Sequence, residues 1–90
     1  MCFKFTTRSR LRLEAEIADL ETSANRSRLS AIGYWRKAGY EYSVMLRTPK
    51  DSRFYKDREL HMNINQSSAK DYTKLFEQQQ MLIKQLKSRL

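Results

Sequence analysis

From about Ser9 the chain repeats its apolar residues in helical steps. Leu13, Ile17, Leu20, Ala24, Ala31, Tyr34 and Ala38 recur at three- and four-residue spacing, which draws one stripe along an α-helix. Leu11, Ala15, Ala18, Leu29 and Ile32 draw a thinner stripe on another face, so this helix expects cover on two sides. The small side chains at Ala24, Ala31 and Ala38 would let a neighbouring backbone approach closely. Arg10 with Glu14 and Arg12 with Glu16 stand four residues apart and can pair along the surface.

Gly33 costs such a helix about 1 kcal/mol relative to alanine. Gly39, after Trp35-Arg36-Lys37-Ala38, sits where a left-handed glycine closes a helix with cations in its last turn. The expected helix therefore ends near Ala38. Tyr40, Tyr42, Val44 and Leu46 then alternate with Glu41, Ser43, Met45 and Arg47, which reads as a strand. Thr48-Pro49-Lys50-Asp51 reads as a turn, with Pro49 suited to its second position. Residues 51–57 read as a helical turn capped by Asp51 or as the far arm of a wide hairpin. Leu60, Met62 and Ile64 alternate with Glu59, His61, Asn63 and Asn65 as a second strand, and Phe3 and Phe5 mark a short strand at the start.

The last element is a helix opened by Ser68 and Asp71 in the manner of a capping box. Tyr72, Leu75, Phe76, Gln79, Leu82, Ile83, Leu86 and Leu90 form its apolar stripe. The expected architecture is a single small α+β domain over residues 1–90. It has a long N-terminal helix and a C-terminal amphipathic helix packed on a short antiparallel sheet. The competing architecture is an all-α helical hairpin in which Tyr40–Leu46 continues the first helix. A 90-residue chain buries roughly 60–65% of the surface its unfolded form exposes, so a thin core finished against a partner or a second copy is expected.

The chain carries 18 Lys and Arg against 10 Asp and Glu, a net charge of +8. The stretch from Arg26 to Arg58 concentrates it. Arg26, Arg28, Arg36, Lys37, Arg47, Lys50, Arg53, Lys56 and Arg58 meet only Glu41, Asp51 and Asp57 there, with Trp35 and Tyr55 available to stack. Arginine and lysine beside flat rings suit a phosphate backbone with exposed bases, and equally the anchors of a protein interface. The candidate site comprises these nine cations with Trp35 and Tyr55, provided they face the same way.

Enzyme chemistry has little to work with. His61 is the only histidine and Cys2 the only cysteine, so a catalytic pair, a disulfide or a cysteine metal site is not expected. Glu14, Glu16, Asp19 and Glu21 spread around a helix as a solvated acidic face, and two glycines build no phosphate-cradling loop. The pattern matches no zinc finger, RNP-bearing sheet, KH loop or basic zipper. The expectation is a non-enzymatic, cytoplasmic binding protein without cofactor, metal, small-molecule substrate or membrane span. Its partner would be nucleic acid or a nucleic-acid-handling complex. The competing function is an inhibitor or assembly adaptor that docks on an acidic protein surface or self-associates as a homodimer.

Overall fold

The computed structural model describes residues 7–90 and contains two helices, α1 (Thr7–Leu46) and α2 (Arg53–Lys87), folded into an antiparallel hairpin. There is no strand among the described residues, so the α+β expectation is wrong and the all-α hairpin is the observed fold. The paired alternation of Phe3 and Phe5 lies outside the described residues. The chain forms a rod with extents of 75 × 15 × 13 Å and a radius of gyration of 20.6 Å. A compact chain of this length would have a radius near 12 Å.

One periodicity explains the rod. In α1 the inward-facing residues are Leu13, Ile17, Leu20, Ala24, Ser27, Ala31, Tyr34, Ala38, Glu41 and Met45, with Thr48 just beyond its end, all buried or half-buried. In α2 they are Tyr55, Arg58, Met62, Asn65, Ala69, Tyr72, Phe76, Gln79, Ile83 and Leu86. Both series step by alternating threes and fours without interruption, the heptad pattern that winds two helices around one seam. The Ser27–Gln79 hydrogen bond (2.8 Å) and the Tyr34–Tyr72 ring stack (5.6 Å between centroids) tie the two helices in register.

The heptads also explain why both predicted strands are helical. Across Tyr40–Leu46 the seam is continued by Glu41 and Met45, two residues assigned to the polar face of the expected strand. Tyr40 and Leu46, assigned to its packed face, are 63% and 70% exposed. Intrinsic strand preference in a tyrosine- and valine-containing segment is a weak term beside an unbroken ladder of helical hydrogen bonds and a continuing seam. Gly39 has no positive φ and so does not close α1, and the Ser43 hydroxyl donates to its carbonyl at 3.0 Å. Likewise Met62 faces the seam of α2 while Leu60 and Ile64 turn outward.

The hairpin turn falls where proline forces it. Pro49 has no N–H and disfavours helical backbone at Thr48. The last turn of α1 tightens instead, with Arg47 and Thr48 N–H groups donating to the Val44 and Met45 carbonyls. The turn forms one residue later than expected: the Ser52 N–H donates to the Pro49 carbonyl, so Pro49 opens a Pro49–Ser52 turn instead of taking the second position of Thr48–Asp51. Ser52, one residue beyond the expected Asp51, caps α2 by accepting from the Phe54 N–H at 3.1 Å. Ser68 and Asp71 lie well inside α2 and start nothing.

Two substitutions test this seam. A Cβ at Gly39 meets nothing within 4 Å, so Gly39→Ala should raise stability by about 1 kcal/mol in urea unfolding followed by circular dichroism. Ala69 is fully buried, and Ala69→Leu should cost about 1–3 kcal/mol by overpacking the seam.

Candidate functional site

The two ends of the rod are built differently. Near the chain termini the seam is apolar: Leu13, Ile17, Ala24 and Ile83 form a buried cluster with Leu20, Phe76 and Leu86 against it. Towards the loop the seam turns polar, with Glu41, Thr48, Arg58 and Asn65 occupying inward positions. There Arg58 Nη1 donates to Glu41 Oε2 at 2.9 Å and Oε1 at 3.2 Å, and the Arg58 guanidinium lies 5.0 Å from the Phe54 ring centroid. Arg58 Nε is buried without a hydrogen-bond partner. A cation and a carboxylate thus occupy a place where leucines would hold a coiled coil together.

Seven large apolar side chains of this half are nevertheless on the outside. Trp35, Tyr40, Tyr42, Leu46, Phe54, Leu60 and Ile64 are all exposed. On α1 they extend the thinner stripe recognised in the sequence: Ile32, Trp35, Gly39, Tyr42 and Leu46 follow it at helical steps. With Ala38 and Gln66, Trp35, Gly39 and Tyr42 line a shallow groove of about 320 Å³. The helix expected from the sequence ends near Ala38, short of this continuation.

Nine of the eleven candidate residues lie in the loop-ward part of the rod and Arg26 and Arg28 near its middle, and they do not form one face. Arg26, Lys37 and Arg47 lie on one flank of the hairpin. Arg28 and Trp35 lie on the opposite flank, where each lines a groove. Arg36 is on the outer ridge of α1, Lys50 is in the loop, and Arg53 and Lys56 are exposed in the first turn of α2. Tyr55 and Arg58 face the seam and are half-buried, Arg58 being held by Glu41. Lys37 Nζ sits 5.0 Å from the Tyr34 ring centroid, which lays that side chain along the rod. Around the loop end, Arg36, Lys37, Arg47, Lys50, Arg53 and Lys56 are exposed cations against the exposed carboxylates Asp51, Asp57 and Glu59.

His61 is exposed on α2 with no cluster around it. Among the described residues no group of three or more His, Cys, Asp and Glu side chains is placed to hold a metal ion. None of the described helices is long and apolar enough to cross a membrane.

The Glu41–Arg58 pair has a measurable signature. Arg58→Met alone leaves a carboxylate in the seam and should cost about 1–3 kcal/mol. Replacing both partners with methionine should recover most of that loss, read as a double-mutant cycle in urea. Comparison of the chain with protein-family models, curated proteins and solved structures finds no match.

Proposed function

We propose that the chain is a non-enzymatic binding protein that meets nucleic acid, or a nucleic-acid-handling complex, through the loop-end half of its rod. The observation that carries this reading is the inversion at that end: polar groups occupy the seam while cations and rings face outward. Arg36, Lys50, Arg53 and Lys56 supply phosphate contacts, and Trp35 a surface on which a base can stack. A stiff, narrow hairpin delivers these groups at its tip, away from its apolar cluster.

A second reading is favoured by Leu46, Leu60 and Ile64. Bases stack on rings and gain less from aliphatic side chains, so exposed leucine and isoleucine beside cations also fit an acidic protein surface with an apolar centre. This is the adaptor or inhibitor reading.

Titration with duplex and single-stranded oligonucleotides at two salt concentrations separates the two. If some five phosphates of a duplex are neutralised, affinity should fall on the order of several hundred-fold between about 50 and 200 mM salt. Reversing Arg36, Lys50, Arg53 and Lys56 to glutamate should abolish binding with helix content unchanged. Absence of binding at the lower salt would overturn the nucleic-acid reading and leave the acidic protein surface.

A further inference from the structure

A groove of about 400 Å³ opens on one flank of the rod near the chain termini, between Glu16, Asp19, Leu20 and Ser23 of α1 and Leu82, Gln85 and Leu86 of α2. Leu20 and Leu86 give it an apolar floor continuous with the buried cluster. Glu16 and Asp19 give it an acidic rim, and among the described residues neither takes part in an ion pair. Its complement is an aromatic side chain with a cation beside it.

The chain carries that complement on the same flank at the other end. Residues seven apart share a side of a heptad-paired helix. Lys37 and Val44 stand three and four heptads beyond Glu16, and Tyr40 three heptads beyond Asp19. Tyr40 is among the most exposed large side chains of the molecule. It cannot reach the groove of its own chain, because α1 is one continuous helix between them.

We propose that Tyr40 and Lys37 of a second copy fill this groove, so that two hairpins pack antiparallel into a four-helix rod with their loops at opposite ends. A two-fold axis across the middle of α1 makes both seats at once, as a closed, self-complementary interface requires. Lys37 then meets Glu16 and Asp19 of the other copy. Between the seats Ser23, Ser30 and Gly33 are small enough for α1 to approach its copy, and Arg26, on the same flank near the axis, is the one large cation that this approach must pass. Along α2, Phe54, Leu75 and Leu82 fall on one seven-residue line of this flank, and the same rotation lays that line against itself. Packing with the loops together would set basic tip against basic tip and leave both acidic rims unanswered.

The exposed area supports this occupant. The chain exposes 7257 Å². A compact protein of its mass exposes about 5,500 Å². The excess exceeds the ~800 Å² that each partner contributes to a standard interface. The proposal stands apart from the nucleic-acid reading, since Arg36, Lys50, Arg53 and Lys56 lie off this flank.

The test is mass in solution by sedimentation equilibrium, from micromolar to sub-millimolar chain, with circular dichroism as the check on folding. The expected mass is twice 10.8 kDa. Tyr40→Ala, Leu82→Glu and Lys37→Glu should each weaken association at least tenfold with helix content unchanged. The charge swap, Asp19→Lys with Lys37→Glu, should restore much of the loss from Lys37→Glu, a rescue that damage to the fold would not produce. Spin labels on Lys50→Cys in a Cys2→Ser background should report loops at opposite ends of the rod. A monomer throughout the range, a dimer indifferent to Tyr40→Ala and Leu82→Glu, or labels close together would overturn the proposal. Oligonucleotide binding by the Leu82→Glu variant shows separately whether the nucleic-acid reading holds.

Discussion

Everything in this molecule depends on the phase of one seam. From Leu13 onward two helices of 40 and 35 residues stay in contact only because their inward residues keep to a seven-residue repeat. The repeat is maintained even where the residues occupying it are poor seam formers. Ala24, Ala31 and Ala38 on α1 and Ala69 on α2 set the close spacing, while Tyr34, Tyr72 and Phe76 fill the room left at neighbouring levels. Serine, glutamine, glutamate and arginine occupy other levels and are accommodated by pairing with one another. Ser27 pairs with Gln79 and Glu41 with Arg58 across the seam, which fixes alignment, although Arg58 Nε stays buried without a partner and adds to the cost of that layer.

That arrangement separates two tasks along the rod. The part near the termini holds the helices together through leucine, isoleucine and phenylalanine. The loop half is held by alanine, methionine and a salt bridge, and its own large apolar residues are free to meet something else. Cations are concentrated there as well, so the surface offered at that end is both sticky and charged. An ordinary coiled coil keeps these properties apart, with apolar groups in the seam and charges on its flanks.

The stripe from Leu13 to Ala38 was legible in the sequence because apolar residues mark the seam there, and so were Tyr72, Phe76, Gln79, Ile83 and Leu86 of the last stripe, whereas Leu75, Leu82 and Leu90, read into it, are exposed. Between them, residues 39–66 could not be read by following apolar residues, because at that end apolar residues mark the outside. Tyr40, Tyr42, Val44 and Leu46 happen to alternate, and so do Leu60, Met62 and Ile64, which imitates a pair of strands. The inward positions in the same segments are Glu41 and Met45, then Met62 and Asn65. Their helical spacing becomes visible only when a glutamate and an asparagine are admitted to the seam. The concentration of cations and rings between Arg26 and Arg58 was legible from composition. Its distribution over two flanks, an outer ridge and a loop was not, because the helical phase decides which way each side chain points.

The salt bridge in the seam has a consequence for how the rod opens. The apolar cluster joins residues far apart in the chain, whereas the residues nearest the loop are joined by a polar contact between close neighbours in sequence. The hairpin is therefore latched at its open end and only lightly closed at its bend. Partial unzipping from the loop would uncover few apolar contacts, so the tip belongs to the low-energy end of local opening.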